Sequence, residues 1–353
     1  MPGKYYLVET DKIEHNIKLL CSAMGIGRVY AVVKANGYGL GCGEMVRLCS
    51  QFGVRCFAVS DITGARVVRS TGVPVEELLL LSSADPDEIP ELVELGVTFT
   101  VASRTDAQRL ECYNTSAHIK VDTGLGRRGL TSDATDDILA LYRDFPNLCY
   151  TGIYTHFSDP GHALRQFRRF SRVLHRLERA GIDPGVRHCC SSSTVFRWRE
   201  MHLDGIRVGS ALLGRVPGGE AYGLQRTGVC RVPIESIRML KRGSTVGYGS
   251  MFRTHRKTTV ALCAVGTHNG FGVRFGYGRI NCLARLYQKL FRDGDSVLFG
   301  KLHGTRCAVL GHVSTEGVVL DVTDVLCREG DLMEFEVNPL LLHDVPVVFC
   351  KSE

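Results

Sequence analysis

A lysine that closes a buried apolar run is the first residue in this chain with chemistry to offer. In Val32-Val33-Lys34-Ala35-Asn36-Gly37-Tyr38-Gly39, Lys34 follows such a run. Burial disfavours the ammonium form and lowers its pKa, and a neutral amine is a nucleophile that forms a Schiff base with an aldehyde. Four more polar sets follow apolar runs: Asp122-Thr123-Gly124-Leu125-Gly126-Arg127, then His156, then Ser191-Ser192-Ser193, then Gly209-Ser210 just after Arg207. A lysine, a tyrosine, two arginines, a histidine and a row of small hydroxyl and glycine positions suit a phosphorylated aldehyde. Pyridoxal phosphate supplies both groups, and it is one of several cofactors such a site could take. Gly124-Leu125-Gly126-Arg127-Arg128-Gly129 also matches G-x-G-x-x-G. A dinucleotide site needs that motif after the first strand of a βαβ unit, with an acid about 20 residues on. Here it follows the fifth strand-like run and carries two arginines, so we read it as a turn that projects Arg127.

These residues converge only if the elements before them share one sheet. Apolar, β-branched runs recur at residues 28–33, 55–59, 78–81, 98–101, 117–121, 150–155, 186–190 and 205–208. Segments of helical periodicity separate them, among them 43–52, 62–70, 87–95, 104–113, 133–143 and the basic, amphipathic 162–180. Alternation predicts a parallel sheet, and eight units predict a (β/α)8 barrel, with a doubly wound open sheet as the alternative. Barrel chemistry is built at the C-terminal strand ends, where every residue above lies. Ser192, Gly209 and Ser210, after the seventh and eighth runs, occupy the usual phosphate position. The alternation stops near Gly223. Beyond it come β-type runs at 229–240, 258–264, 279–286, 296–300, 305–313, 317–322, 332–337 and 345–350. The expected organisation is a barrel over 1–224 and a mostly β domain over 225–353, with residues 1–10 available to pair with the second domain.

Composition narrows the function classes. The chain has 353 residues, 44% hydrophobic and 23% charged, so it can bury a sizeable core. No apolar run of about 18 residues occurs, and the N-terminus MPGKYYLVETDKIEHN is polar, which predicts no membrane span and no secretory signal. A net charge of +6, with its charges mixed rather than blocked, argues against nucleic acid. The 14 cysteines contain no Cys-x-x-Cys pair. They read as reduced packing residues of a cytoplasmic protein, with no metal site, and Cys189 and Cys190 are expected to line the barrel.

Several of these segments together resemble the alanine racemases, the fold-type III pyridoxal-phosphate family. The stretch 31–39 around Lys34 resembles that family's cofactor-lysine signature. His118-Ile119-Lys120-Val121-Asp122-Thr123-Gly124-Leu125-Gly126-Arg127 resembles a second block, and Gly152-Ile153-Tyr154-Thr155-His156-Phe157 a third. Arg207-Val208-Gly209, Val246-Gly247-Tyr248-Gly249 and Leu320-Asp321-Val322-Thr323-Asp324 resemble three more, in order along nearly the whole chain. The resemblance implies a racemase (an isomerase) using pyridoxal 5'-phosphate, in a head-to-tail homodimer where each β domain closes the partner's site. By position it implies that Lys34 holds the cofactor and acts as one base, with Tyr248 of the other subunit as the opposite-face base. It places Arg207 at the pyridine nitrogen and His156 in hydrogen bonds between Tyr248 and Arg207. Tyr38, Ser192, Gly209 and Ser210 hold the phosphate, and Ser191 stands where the family has an asparagine. Arg127 contacts the cofactor's phenolic oxygen and the substrate carboxylate, and Lys120 corresponds to a lysine carbamylated in some members. Two bases on opposite faces are what Cα racemisation needs. A phenol of pKa ≈ 10 works near neutrality only if lowered by about 2–3 units, roughly 3–4 kcal/mol.

The substrate side departs from the family. Gly266-Thr267-His268-Asn269-Gly270 lacks the usual tyrosine, and Thr315 and Glu316 replace a methionine and an aspartate that shape the substrate-carboxylate side. Phe335 stands where a pocket tyrosine is usual. The expected reaction is interconversion of L- and D-alanine. The alternatives are racemisation of another amino acid such as serine, decarboxylation on the same fold, and non-catalytic binding of the cofactor.

Overall fold

The computed structural model describes residues 3–25, 28–250, 252–273 and 298–351. Within them the chain forms two units, one of Thr10–Thr227 and one of Met1–Glu9 with Gly228–Lys351. The first strand, β1 (Tyr5–Glu9), belongs to the second unit.

In the first unit, eight parallel strands follow one another around a barrel. They are β2 (Arg28–Val32), β3 (Cys56–Val59), β4 (Glu77–Leu80), β5 (Phe99–Val101), β6 (Ser116–Asp122), β8 (Cys149–Tyr154), β9 (Val186–Ser191) and β10 (Gly205–Val208). A short β7 (Leu130–Thr131) lies beside the end of β6. The hydrogen-bonded order is β4-β3-β2-β10-β9-β8-β6-β5, and a parallel bridge Leu79↔Thr98 joins the two ends. The open doubly wound alternative is thereby replaced by a closed barrel. β3, β4, β5 and β10 are buried along their whole length, which is why they read as continuous apolar runs rather than alternating ones.

Local signals start the outer helices where the strands end. Asp61 caps Ile62–Ser70 by accepting the Gly64 N–H at 2.8 Å. Ser103 caps Arg104–Leu110 through the Asp106 N–H at 3.1 Å, and the Asp106 carboxylate reaches back to the Ala102 N–H at 3.0 Å. Ala163–Arg179 buries Phe170, Val173 and Leu177 and exposes its arginines apart from Arg169, which donates to the Thr123 carbonyl at 3.0 Å.

The second unit is built on β11 (Val229–Leu240), a 12-residue strand. With it are β12 (Thr245–Val246), β13 (Phe252–Arg253), β14 (Thr258–Cys263), β15 (Phe299–Leu302), β16 (Thr305–Ala308), β17 (Val318–Asp321), β18 (Leu332–Phe335) and β19 (Val347–Cys350). β1 lies between β11, which it pairs with antiparallel, and β19, parallel. The run expected at 305–313 stops at Ala308 as a strand of the β15 ladder, because Val309 and Leu310 turn to pair with β17 instead. The run expected at 279–286 lies outside the described residues. No helix among the described residues is long and apolar enough to cross a membrane.

Candidate active site

At the C-terminal end of β2 the backbone coils with the wrong hand. Ala35, Asn36, Gly37 and Tyr38 all have positive φ (51°, 52°, 64° and 58°), and Gly39 follows at 87°. Each non-glycine residue there costs about 1–2 kcal/mol. Hydrogen bonds hold the turn: Gly37 N–H to the Val33 carbonyl at 2.9 Å, Gly41 N–H to the Asn36 carbonyl at 2.9 Å, and Cys42 N–H to Asn36 Oδ1 at 3.0 Å. The coil places Lys34 and Tyr38, four residues apart, on the wall of one cavity of about 410 Å³.

Lys120, Arg127, His156, Ser191, Ser192, Arg207, Gly209 and Ser210 line the same cavity. So every barrel residue named from the sequence reaches one mouth. Tyr38 lies across the end of β10, where a Cβ on Gly209 would overlap its ring; only glycine fits there. Ser192 Oγ accepts the N–H groups of Gly209 and Ala211, each at 3.1 Å, which leaves its own O–H free to donate into the mouth. Ser191 and Ser193 hydroxyls lie 3.0 Å apart beside it. This corner of hydroxyl donors matches a phosphate in kind.

The 124–127 loop is not such a cradle. The N–H groups of Gly124, Leu125, Gly126 and Arg127 all point at the Asp122 carboxylate, at 2.8, 2.9, 3.0 and 3.1 Å. With those donors spent on Asp122, no dinucleotide phosphate can use them, and the loop serves to carry Arg127 to the mouth. Asp122 was not singled out beforehand; an aspartate just before Gly-x-Gly is the signal that could have found it.

The mouth is strongly cationic. Burial, then the charge of Arg127, draws the Lys34 pKa below the ordinary lysine value. Lys120 is lowered by burial and by Arg207 and Arg127, against the opposing pull of Asp122. His156 is pushed down to about 3 by desolvation and by Arg207, Lys34, Lys120 and Arg127. The His156 ring is open to the mouth, and the cations around it keep it neutral at pH 7.

Arg207 is buried and turned inward. Its Nη1 donates to His188 Nδ1 at 2.6 Å and to the His188 carbonyl at 3.1 Å, its Nη2 donates to the Thr155 carbonyl at 2.6 Å, and its plane lies 4.6 Å over the Tyr154 ring. The expected hydrogen-bonded link to His156 is therefore absent from this arrangement: the fork is committed to His188 and Thr155, and His156 feels Arg207 through charge alone. Cys189 and Cys190, expected to line the barrel, are fully buried within β9; they do not line the mouth cavity, and the Cys189 thiol donates to the Met201 carbonyl at 3.0 Å. Every cysteine among the described residues is a free thiol.

Tyr248, Thr315 and Glu316 lie in the second unit. The backbone of Tyr248 sits in the short turn Tyr248–Ser250 between β12 and β13. Thr315 and Glu316 are exposed, just before β17. Their segment docks on the other altered one, since Thr267 N–H donates to the Ser314 carbonyl and His268 N–H to the Thr315 carbonyl, both at 3.0 Å. Phe335, expected at a pocket, is fully buried against Phe271, with ring centroids 4.8 Å apart. An apolar ring suits that core position, where a phenol hydroxyl would need a partner.

A closed β/α barrel with a lysine and a phosphate-type corner at its C-terminal mouth, followed by a β domain, defines a class of cofactor-dependent barrel enzymes. Residues 8–217 match the N-terminal domain of alanine racemase and residues 229–338 its C-terminal domain. Alanine racemase of Desulforamulus reducens is 30% identical over 98% of this chain and 90% of its own length. Alanine racemase of Methanococcus maripaludis is 28% identical over 90% of this chain and 84% of its own. Among solved structures, alanine racemase of Bartonella henselae with covalently bound pyridoxal phosphate superposes with a TM-score of 0.83, at 21% identity, over 99% of this chain and 100% of its own. The chain belongs to the alanine racemase family.

Proposed function

We propose that this chain is a pyridoxal 5'-phosphate-dependent racemase that interconverts L- and D-alanine. The observation that carries the reading is the gathering of Lys34, Tyr38, Arg127, Ser192, Arg207 and Gly209 on one cationic mouth in a chain of this family. The residues fit the cofactor on their own terms. Ser192, Ser210 and Tyr38 offer hydroxyl donors for a phosphate, Gly209 clears the space, and Lys34 has a lowered pKa suited to covalent attachment. Bound there, the cofactor would withdraw electrons from the substrate and make its Cα–H acidic.

The chain's own residues would do the rest. Lys34, its pKa lowered by burial and by Arg127, takes or returns a proton at Nζ on one face. Tyr248 of a second copy does so at its phenol on the other, in a head-to-tail homodimer. Arg127 binds the substrate carboxylate. Arg207 presents a fixed cation that does not give up its proton, because a guanidinium pKa exceeds ~12. His156, kept neutral, adds no further charge to the mouth. Ser191 supports the phosphate corner, while Thr315 and Glu316 shape the substrate side. A reduced, cytoplasmic setting agrees with the free thiols. A second reading, racemisation of another amino acid such as serine, is favoured by the docking of the two altered segments around Thr267 and Thr315.

The test is to load the purified protein with pyridoxal phosphate and offer L- and D-amino acids in heavy water. Cα deuteration and loss of optical rotation with alanine are expected. A preference for serine supports the second reading; CO2 release, or no exchange with any amino acid, overturns racemisation. Lys34→Ala should remove both turnover and the visible band of the covalently held cofactor. A band that persists in Lys34→Ala overturns the cofactor's placement.

A further inference from the structure

Below the mouth, buried polar groups run in line through the barrel from Arg207 to β4. His188 Nδ1 meets Arg207 Nη1 at 2.6 Å, and its Nε2 meets His118 Nδ1 at 3.0 Å. His118 Nε2 then lies 3.0 Å from Glu77 Oε1. The other carboxylate oxygen of Glu77 accepts from Tyr30 at 2.7 Å and Arg28 at 2.6 Å. The His118–Glu77 contact is short but poorly aligned. Both atoms are buried and form no aligned hydrogen bond among the described residues, so this link is an electrostatic contact rather than a formed hydrogen bond.

The direction of this chain follows from its first member. A guanidinium can only donate, so His188 Nδ1 must accept and its proton must sit on Nε2. That proton goes to His118 Nδ1, which places the His118 proton on Nε2, aimed toward the Glu77 carboxylate. The opposite tautomers would set N–H against N–H and a lone pair against a carboxylate. Neither imidazole carries a charge in this scheme. Burial, with Arg207, His118 and Arg28 nearby, holds His188 well below the ordinary histidine value. Burial alone would raise the Glu77 pKa, but the adjacent His118, the hydrogen bond from Tyr30 and the charge of Arg28 outweigh it and keep it low.

The rings are built to stay in this order. His188 is stacked between Tyr30, at 5.1 Å and 14°, and Tyr154, at 5.0 Å and 24°, so its edge nitrogens point along the line. His118 is admitted only because β8 has Gly152 beside it; a Cβ there would overlap the imidazole.

We propose that Glu77 and His118 are positioning residues for racemisation, ending a one-way hydrogen-bond chain that fixes the tautomer of His188 and thereby the orientation and charge of Arg207. A carboxylate at the far end polarises both imidazoles and makes His188 Nδ1 a stronger acceptor. That favours the protonated guanidinium against burial and keeps its remaining N–H groups facing the mouth. The proposal rests on the racemase reading for its kinetic consequence, but the tautomers do not depend on it.

The test joins nitrogen-15 NMR of histidine-labelled holoenzyme with kinetics. In the wild type, His188 and His118 should both appear neutral, with the proton on Nε2. Glu77→Gln should lower kcat about ten- to a hundredfold, as loss of outer-shell partners of metal-bound histidines does. The KM for alanine should change far less, the thermal midpoint should be kept, and the His188 signals should move. Gly152→Ala, which displaces His118 without substituting any member of the chain, should reproduce the kcat loss. A wild-type His188 that is charged or protonated on Nδ1 overturns the proposal. So do folded Glu77→Gln and Gly152→Ala proteins whose kcat stays within twofold of wild type. If the tautomers are as stated but no amino acid is racemised, the functional reading fails and the hydrogen-bond chain stands.

Discussion

Arg207 separates two regions of the barrel that treat polar groups in opposite ways. Above it, Lys34, Lys120, Arg127 and His156 have head groups with no hydrogen-bond partner among the described residues. Below it, Tyr30 and Arg28 donate to Glu77, His118 is hydrogen-bonded to His188 and His188 to Arg207, with His118 Nε2 set 3.0 Å from Glu77 Oε1. The difference follows from solvent. Groups in the mouth are hydrated, so leaving them unpaired costs little and keeps them available to a ligand. Buried groups must be satisfied within the protein, because an orphaned one costs about 1–3 kcal/mol, and more if charged. The open, unpaired end of the barrel is thus the end that binds, and the largely paired interior holds it in place.

If that division is right, substitutions on the two sides should fail differently. The largest effect is expected from His188→Leu, which strands the buried Arg207 guanidinium and His118. Urea unfolding should show a loss of about 3–5 kcal/mol, the cost of breaking a buried charged pairing. A loss below about 1 kcal/mol would mean the interior is not held by this network. Arg127→Met should do the reverse. Its stability should stay within about 0.5 kcal/mol, while kcat/KM for alanine falls about 10- to 150-fold, the equivalent of a charged hydrogen bond of roughly 1.5–3 kcal/mol. Its pH profile should also move. The Arg127 charge depresses the Lys34 pKa, so removing it raises that pKa, and the acid limb should shift to higher pH. The smallest effect concerns acid stability. The His188 pKa in the folded protein lies far below the 6.5 of an unperturbed histidine, so only the unfolded chain takes up this proton as pH drops. Stability should be full above that value and fall below it, by up to about 1.4 kcal/mol per pH unit. The low folded pKa of Glu77 adds to the loss only below about 4.5. Between those limits the fall should be shallower in His188→Leu than in wild type.

The same division explains what could be read in advance. Lys34, His156, Arg207 and the serines stand where apolar runs end, and barrel geometry sends such positions to a common mouth. The strands were legible because four of them are buried along their whole length and the others over at least half of it. Glu77, His118 and His188 stand at or within strands, 41 and 70 residues apart, and nothing local in their sequence distinguishes an inward polar residue from an outward one. Only the closure of β4, β6 and β9 into one barrel brings them into line. The register shift of β9 opposite Gly205 and Ile206 is likewise a property of paired strands. Phe335 misled because correspondence with a family position gives an address in the chain and not the packing found there.

The placement of β1 has a consequence for the order in which the molecule can be made. This strand ends at Glu9, yet its neighbours β11 and β19 begin at Val229 and Val347. All the strands of the barrel emerge in the interval, each able to pair with one already present. During synthesis the barrel can therefore close while Tyr5–Glu9 waits, for a time on the order of tens of seconds at ribosomal rates. The β unit, by contrast, gains β19 only after its other described strands have been made, so β1 is among the last strands to find both of its neighbours.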